Sequence, residues 1–308
     1  MEQQNIKDTD IIFLTPTVGS IWLFYQQYLI KKFFPNSKRI LINGNHRWDF
    51  NLGRECVWYD FIKKAQEVSS GEKYFVHIDE DCFLTNKEGV LDTLYKLENE
   101  NAALIGPTDN MYPIRGGNPF ALNSFFMAGK IPDLIDVWQS FEIQLRFNDL
   151  NLPTPNIPPE KIEDEPYYNF FWNYLAKGKR ISTVPTGYAN KYNSTTLLAN
   201  NNTTFAHHMW YTRKWYTKQT FVDLPHRVRY LRLKKHLDKT YRIKMINLIK
   251  PMLIRQYIPI LFDGVITKNI RRIIRVFKKS NPLWPSISFQ LYLFTMGIAG
   301  TYHTLFFN

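Results

Sequence analysis

Residues 73–84 have the sequence Lys-Tyr-Phe-Val-His-Ile-Asp-Glu-Asp-Cys-Phe-Leu. The short apolar run 74–78 predicts a buried β-strand. Three consecutive carboxylates, Asp79, Glu80 and Asp81, follow this run directly. Open α/β sheets bind ligands beyond the carboxyl ends of their strands. The stretch therefore predicts a central strand with a ligand site at its end.

The three carboxylates form a pattern that suits a metal ion. Side chains alternate along a strand, so we expect Asp79 and Asp81 to share one side while Glu80 points to the other. Two close carboxylates repel each other unless a positive charge lies between them. A hard divalent cation such as Mg²⁺ or Mn²⁺ supplies that charge and can bring a diphosphate with it. The alternative is a solvated acidic turn after a strand.

Composition indicates a folded protein with a large core. The 308-residue chain is 44% hydrophobic and 16% aromatic, which excludes a disordered chain. Its two cysteines, Cys56 and Cys82, form no Cys-x-x-Cys pair. This argues against a disulfide framework or a structural zinc site and fits a reducing compartment. Residues 1–10 are polar and contain no apolar signal region, so we expect a cytoplasmic location.

The net charge of +12 is concentrated in the C-terminal third. Residues 226–280 contain 16 Lys and Arg against two acids, a net of +14, and the rest of the chain has a net charge of −2. Residues 270–279 are basic and strongly amphipathic, and residues 281–308 contain no Lys, Arg, Asp or Glu. This combination favours peripheral attachment to a membrane surface. The alternative is a C-terminal helical layer that packs on the sheet, with its cations solvated.

Strand-like and helix-like patterns alternate along the first two thirds of the chain. Strands are predicted at 11–14, 39–42, 74–78, 102–105, 120–127 and 181–184. Helices are predicted at 20–34, 53–68, 89–98, 131–148 and 166–176. Loops are predicted at 15–20, 151–159 and 190–204. The alternation predicts an α/β fold with a mostly parallel sheet, helices on both faces and a basic helical C-terminal extension.

Several short stretches agree in order and spacing with one enzyme class. They are Thr15-Pro16-Thr17, Asn51-Leu52-Gly53-Arg54-Glu55, Asp79-Glu80-Asp81, Glu163-Asp164, and the later His207 or His208. Together they resemble the GT-A class of nucleotide-sugar glycosyltransferases, in its family 2-like, bacterial surface-glycan form. The resemblance implies a GT-A (Rossmann-like) catalytic domain over 1–223 and a basic helical region over 224–308. The sequence departs from that family at Asn43-Gly44-Asn45, where the second strand usually ends in acidic residues.

The resemblance implies a substrate class and a set of binding residues. The donor would be a nucleotide-sugar, with a UDP-sugar favoured, and the acceptor a glycan or a lipid-linked molecule in cell-surface polysaccharide synthesis. A site for this chemistry would lie at the inner face of the cell membrane. The donor-binding residues would be Thr15, Pro16, Thr17, Asn43, Arg54, Asp79, Glu80 and Asp81. Asp79 and Asp81, with His207 or His208, would hold Mn²⁺ or Mg²⁺ to neutralise the diphosphate leaving group.

The stretch Glu163-Asp164 carries the candidate catalytic base. In the GT-A family that the sequence resembles, this motif supplies the catalytic base of inverting members. We expect Asp164 to be the base, with Glu163 as the second candidate. The alternative is that these acids only stabilise the N-terminus of a helix. For His207 and His208, the alternative is a core or surface pair with no ligand role.

Two other functions also fit the residues. A metal-dependent nucleotidyltransferase or phosphotransferase needs the same paired acids, whereas the lack of a P-loop or Gly-x-Gly-x-x-Gly motif argues against ordinary kinases and dehydrogenases. The basic segment 227–279, with its interleaved aromatic residues, also permits a nucleic-acid-binding protein. The uncharged tail that follows this segment has no clear use in that interpretation.

Overall fold

The fold is that of a computed structural model. The structure describes residues 5–17, 19, 22–44, 65, 67, 71–111, 117–142, 145–163, 165, 167–192, 194–209, 224–244, 248 and 256–260. Its strands are β1 (Ile11–Thr17), β2 (Lys38–Asn43), β3 (Tyr74–Ile78), β4 (Cys82–Leu84), β5 (Leu104–Gly106), β6 (Phe126–Lys130), β7 (Ile181–Thr183), β8 (Thr186–Ala189), β9 (Ser194–Leu198) and β10 (Thr204–His208). Its helices are α1 (Trp22–Phe33), α2 (Glu88–Asn99), α3 (Ile131–Gln139), α4 (Tyr168–Ala176) and α5 (Leu224–Tyr241).

Six strands form the central sheet in the order β2-β1-β3-β6-β5-β7. β1 runs parallel to β2 and β3, and β5 runs parallel to β7. β6 runs antiparallel to its neighbours β3 and β5. The sheet is therefore mostly parallel, and the predicted Rossmann-like α/β class is confirmed.

Alternate side chains of β1 enter the cores on opposite faces of the sheet. Ile11 and Phe13 pack in a cluster with residues of α1 and α2, whereas Ile12 and Leu14 pack in a second cluster with residues of α3 and α4. Every residue of β1 and β3 is buried. Helices on both faces explain why these strands are mostly apolar and do not alternate between apolar and polar residues.

A second, antiparallel sheet has the order β4-β10-β9-β8. β4 begins directly after the acidic triplet and pairs with β10, so that Cys82 lies opposite His208. The predicted loop at 190–204 is wrong, because β9 lies within it. Thr195 and Thr196 are buried there. Their β-branched side chains suit a strand once neighbouring strands supply the hydrogen bonds.

Two further strand boundaries differ from the prediction because partner strands decide them. The predicted loop at 15–20 begins too early: β1 continues through Thr17, which pairs with Asn43 of β2. The predicted strand 120–127 lies mostly too early, since the ladder with β3 covers Phe126–Lys130. In both places, pairing with a distant segment overrides the local apolar pattern.

The predicted helix 131–148 is too long, because α3 ends at Gln139. Beyond it, the Glu142 N–H donates to Asn173 Oδ1 of α4 at 2.7 Å. A short 3-10 turn follows at Phe147–Asp149. A tertiary contact with α4 thus replaces the helical hydrogen bonds that the amphipathic pattern predicts.

Helix α5 packs on the sheet domain through its apolar side. Leu233 and Leu237 are buried in a cluster with Trp22 and Leu29 of α1 and Phe83 of β4. For α5, this contact agrees with the alternative interpretation, in which the C-terminal region packs on the sheet as a helical layer. The domain boundary at residue 224 stays a prediction.

Described residues beyond α5 also contact the sheet, and Ile260 packs in a cluster with Leu41 of β2. Gln256 Oε1 accepts a hydrogen bond from the Leu41 N–H of β2 at 2.7 Å. The basic segment 270–279 and the apolar tail 281–308 lie outside the described residues. Among the helices that the structure describes, none is both long enough and apolar enough to cross a membrane.

Candidate metal centre

The three carboxylates after β3 form a buried turn and not a solvated one. Asp79, Glu80 and Asp81 are 6%, 0% and 4% exposed. The Asp79 N–H donates to the Phe125 carbonyl at 2.8 Å, and the Cys82 N–H donates to the Asp79 carbonyl at 3.0 Å. Burial of carboxylates is costly without hydrogen-bond donors or a positive charge. The turn is therefore an ordered part of the protein interior, at the carboxyl edge of the central sheet.

Two of these carboxylates converge with one imidazole. One potential ligand atom from each of Asp79, Asp81 and His208 lies within 4.8 Å of the others, and all three residues are buried. His208 Nε2 is 3.3 Å from Asp81 Oδ1. The Phe125 ring stacks on the His208 ring with centroids 4.2 Å apart, and the Met209 N–H donates to the Asp81 carbonyl at 3.0 Å. The cluster therefore joins the end of β3 to the end of β10.

The donor set of this cluster fits a hard divalent cation. Carboxylate oxygens suit Mg²⁺ and Mn²⁺, and the imidazole nitrogen favours Mn²⁺ of the two. Adjacent ligands of an ion bound at about 2.1 Å stand about 3 Å apart. The separation of 3.3 Å between His208 Nε2 and Asp81 Oδ1 is close to that value. Three protein ligands would leave positions for phosphate oxygens.

His207 lies on the opposite face of β10, away from the cluster. Its Nδ1 is hydrogen-bonded to Ser194 Oγ at 3.0 Å, and its ring meets the Tyr192 ring edge-on with centroids 5.6 Å apart. Burial, with a smaller effect of His236, lowers the pKa of His207 from 6.5 to about 4. The ring is therefore neutral at pH 7. Of the two predicted histidines, the structure brings His208 to the carboxylates.

Glu80 faces β1 and not the cluster. Its Oε2 accepts a hydrogen bond from the Thr17 hydroxyl, whose oxygen in turn accepts the Gly19 N–H at 3.0 Å. A β-carbon at Gly44 would stand 3.1 Å from the Thr17 carbonyl oxygen, so this close approach of two backbones favours glycine. Thr17 therefore lies where the carboxyl ends of β1, β2 and β3 meet.

The other predicted donor-binding residues of β1 and β2 also lie at this edge. Thr15 Oγ1 accepts a hydrogen bond from Gln26 Nε2 at 3.0 Å. Pro16 lies within the β1–β2 ladder, and Asn43 stands opposite Thr17 at its end. Thr15 is buried, whereas Asn43 is half-buried at the rim. Asn43 is therefore the better placed of these residues to meet a ligand.

Gln26 is a positioning residue that the sequence analysis missed. Its Nε2 approaches the carbonyls of Ile78 and Asp79 at 3.2 and 3.3 Å, and its Oε1 accepts a hydrogen bond from Gln27 at 2.8 Å. Both glutamines are fully buried. Helix α1 thus holds the end of β3 in place. The available signal was a pair of glutamines inside a mostly apolar helical segment.

Cys82, which follows the triplet, carries a protonated thiol. Complete burial, reinforced by Asp81 and Asp79, raises the pKa of this thiol well above its usual value. Thiols act as metal ligands and nucleophiles in the thiolate form. Cys82 is therefore part of the core of the site and not of its chemistry.

Two predicted site residues, Arg54 and Asp164, lie outside the described residues. The same holds for most of the predicted helix 53–68, of which Ala65 and Glu67 are described and helical. The predicted roles of Arg54 on a phosphate and of Asp164 as a base therefore stay predictions.

Glu163, the second candidate base, is described and its carboxylate is engaged. Its Oε1 accepts a hydrogen bond from the Phe147 N–H, and its Oε2 accepts one from Trp172 Nε1 at 3.1 Å. These contacts tie the segment before α4 to the core. They favour an anchoring role for Glu163 over proton transfer.

A second buried carboxylate, Asp109, lies at the same edge of the sheet and was missed by the sequence analysis. Asn123 Nδ2 and the Tyr168 hydroxyl each donate to it at 2.5 Å, and the Tyr167 hydroxyl donates at 3.1 Å. A β-carbon at Gly117 would stand 2.2 Å from Asp109 Oδ2. Neither the spacing of these residues nor any run of like residues points to this cluster in the sequence.

The fold and the site together define a Rossmann-like α/β protein with a buried Asp-Asp-His cluster at the carboxyl edge of its sheet. No protein-family model matches the chain, and no curated protein matches it significantly. Among the solved structures that show distant likeness to it are the following three. They are A197 from STIV, a glycosyltransferase involved in the glycosylation of the major capsid of PBCV-1, and a cytidylyltransferase from Leptospira borgpetersenii serovar Hardjo-bovis.

The likeness to these three structures is weak in TM-score and in sequence identity. Their TM-scores are 0.33, 0.30 and 0.31, with 13%, 15% and 10% sequence identity. The matches cover 63%, 42% and 57% of this chain, and 92%, 65% and 76% of the respective structures. Likeness at this level does not assign a function.

Proposed function

We propose that this protein is a metal-dependent glycosyltransferase, which moves a sugar from a nucleotide-sugar donor to a glycan or lipid-linked acceptor with inversion. The observation that carries the proposal is the convergence of Asp79, Asp81 and His208 in a buried cluster. The cluster lies where Rossmann-like sheets bind ligands, at the carboxyl ends of their strands. A general ligand-binding protein would have no need to bury two carboxylates together at that edge.

Asp79, Asp81 and His208 would hold Mn²⁺ or Mg²⁺, which when bound neutralises the charge that develops on a diphosphate leaving group. Phe125 fixes the plane of the His208 ring by stacking on it. Gln26 fixes the backbone of Asp79 through its carbonyl. His208 and Asp79 are thus oriented before any donor binds, which reduces the cost of ordering them.

The donor nucleotide would occupy the rim formed by β1 and β2. Thr17 and Asn43 lie side by side at the ends of these strands, next to the turn that carries Glu80. Arg54 would add a planar cation suited to phosphate oxygens. A UDP-sugar is the donor that we favour.

Asp164 would serve as the base that deprotonates the acceptor hydroxyl as the anomeric carbon is attacked from the opposite face. Described residues on both sides of it support this role. The Ile162 carbonyl accepts a hydrogen bond from Asn118 at 3.1 Å, and the Tyr167 hydroxyl donates to Asp109. These contacts bring Ile162 and Tyr167 to the edge of the sheet that carries the cluster.

The acceptor and location are also part of the proposal: a surface-polysaccharide intermediate at the inner face of the cell membrane. The outward side of α5 supports this, since Val228 and Leu231 are 41% and 54% exposed and Arg232, Lys235 and Lys239 are exposed on the same side. Apolar side chains among cations suit an anionic lipid surface.

The membrane location is tested by sedimentation of the protein with phosphatidylglycerol vesicles, which Leu231→Ser should weaken. If the protein binds duplex RNA or DNA and not the vesicles, the nucleic-acid alternative is favoured.

The first test is a donor panel. Purified protein is incubated with UDP-, GDP-, CMP- and dTDP-sugars, with and without Mn²⁺, and with membrane extract as a source of acceptor. We expect metal-dependent release of free nucleotide from one donor, and loss of that release in Asp79→Ala/Asp81→Ala. Asp136→Asn, which alters an exposed carboxylate paired with Lys177, is the matched control and should retain activity.

The products separate the competing enzyme classes. A glycosyltransferase releases a nucleoside diphosphate or monophosphate, whereas a nucleotidyltransferase would leave pyrophosphate and a phosphotransferase a phosphorylated product. Release of pyrophosphate, or no turnover of any donor, would contradict the proposed function.

A further inference from the structure

The chain that enters β6 changes register just before it reaches the metal centre. Within the sheet Ile105 lies opposite Ala128, whereas Thr108 lies opposite Leu122. Between these two pairs, the β5 side covers three residues, from 105 to 108, whereas the β6 side covers six, from 122 to 128. Residues 123–125 accommodate the excess as a bulge. Bulges of this kind re-aim side chains beside functional sites.

The last residue of this bulge stays in register with β3. Ile78 lies opposite Phe126, and the next N–H of the chain, that of Asp79, donates to the Phe125 carbonyl at 2.8 Å. The Phe125 ring is nearly parallel to the His208 ring, at an interplanar angle of 4°. Phe125 therefore contacts two of the three cluster residues, one through its backbone and one through its ring.

The Asn123 side chain fastens the bulge. Its Oδ1 accepts the Phe125 N–H at 3.3 Å, and its Nδ2 donates to Asp109 Oδ1 at 2.5 Å. The Asn123 N–H donates to the Pro107 carbonyl at 2.7 Å. Asn123 is 2% exposed and Asp109 is fully buried, and the Tyr167 and Tyr168 hydroxyls also donate to the Asp109 carboxylate. Both ends of the contact are thus rigidly placed.

We propose that Asn123 and Asp109 form a positioning pair for the metal centre. By fixing the bulge, the pair sets the place of Phe125, and through it the plane of the His208 imidazole and the backbone of Asp79. This inference rests on the proposed metal centre. Neighbouring groups that orient metal ligands typically change metal affinity about 10- to 100-fold when they are replaced.

The test measures the affinity of the full chain for Mn²⁺, by electron paramagnetic resonance of the free ion, well below the unfolding temperature. Asn123→Asp removes the amide donor and sets two carboxylates against each other, so we expect binding at least about 10-fold weaker. The double variant Asp109→Asn/Asn123→Asp exchanges the two side chains and restores a carboxylate–amide pair. We expect its affinity to return to within about threefold of wild type.

Asn173→Asp is the matched control for loss of stability. Asn173 is also a buried amide, with its Oδ1 accepting the Glu142 N–H at 2.7 Å and its Nδ2 donating to the Glu142 carbonyl at 3.0 Å. It should lower the urea midpoint of unfolding and leave Mn²⁺ affinity unchanged. If Asn123→Asp does not fold, Asn123→Ser shortens the same side chain without adding a charge and carries the same expectation.

The outcomes separate the two proposals. Wild-type affinity in a folded Asn123 variant, or no recovery in the double variant, would overturn the positioning role alone. Absence of Mn²⁺ binding by the wild-type protein would overturn the metal centre, and with it both the proposed function and the positioning role.

Discussion

The two faces of β10 place neighbouring histidines in opposite environments. On one face, the His208 ring stands beside two carboxylates and under an aromatic ring. On the other face, His207 bonds to the Ser194 hydroxyl and is held neutral by burial. Because side chains alternate along a strand, two identical residues one position apart acquire different chemistry. The face, and not the residue type, determines which histidine can serve a cation.

The largest effect should come from the carboxylates that His208 faces. Asp79→Asn and Asp81→Asn keep the shape of the side chain and remove its charge, so metal-dependent nucleotide release should fall about 10³-fold. Glu80→Gln makes the same change on the carboxylate that faces β1 and should cost less than about 10-fold. Initial rates of nucleotide release at saturating Mn²⁺ measure the difference. If all three variants lost the same fraction of the nucleotide-release rate, Asp79 and Asp81 would not differ in role from Glu80.

The direct test of the two faces is a pair of alanine variants. His208→Ala removes a proposed ligand, and we expect Mn²⁺ affinity to fall at least about 10-fold. His207→Ala changes the other face and should leave the affinity unchanged while lowering stability. Titration of Mn²⁺ followed by electron paramagnetic resonance, with urea unfolding in parallel, checks both. A loss of affinity in His207→Ala as large as that in His208→Ala would contradict the comparison.

The neutral state of His207 should make the protein sensitive to acid. Its pKa is about 4 in the folded chain and near 6.5 in an unfolded one, so below pH 6.5 the unfolded state takes up a proton that the folded state does not. Stability is therefore lost as pH falls, by about 2 kcal/mol between pH 7 and pH 5.

The variant His207→Asn isolates that contribution. It keeps a polar atom near Ser194 and removes the titrating ring, so the fall in unfolding free energy between pH 7 and pH 5 should become shallower by about 2 kcal/mol. Urea unfolding at the two pH values measures it. The same slope in both proteins would show that His207 does not remain neutral in the folded chain.

The smallest effect should come from Ser194→Ala. This change removes the buried hydroxyl that bonds to His207 Nδ1 and should cost about 1 kcal/mol of unfolding free energy. Because Ser194 lies on the face away from the cluster, Mn²⁺ affinity should stay at the wild-type value. A weaker affinity in this variant would show that the two faces are coupled.

Much of the central sheet could be predicted because its signals are local. The run Tyr74–Ile78 is buried throughout and apolar apart from His77, since helices cover both faces of the sheet. The carboxylates at its end follow from the same stretch, and so does the ligand site that they predict. Loops and strand ends were predicted less well, since Thr17 belongs to β1 only through its partner Asn43 in β2.

The small sheet could not be predicted in the same way. Thr195 and Thr196 lie in a polar stretch whose strand character depends on hydrogen bonds from β8 and β10. The cluster of Asp109 and Asn123 likewise depends on a change of register between two strands. Such pairings join segments that are distant in sequence, and no local pattern records their register.

Local residue patterns are enough to predict the α/β class, the acidic turn after β3 and two candidate histidines. Which histidine faces Asp79 and Asp81, and which faces Ser194, follows from the pairing of the strands. The reason is that a shift of one residue in strand register moves every side chain to the opposite face. That register is set by the pairing of β10 with β4, which begins at Cys82, more than a hundred residues earlier in the chain.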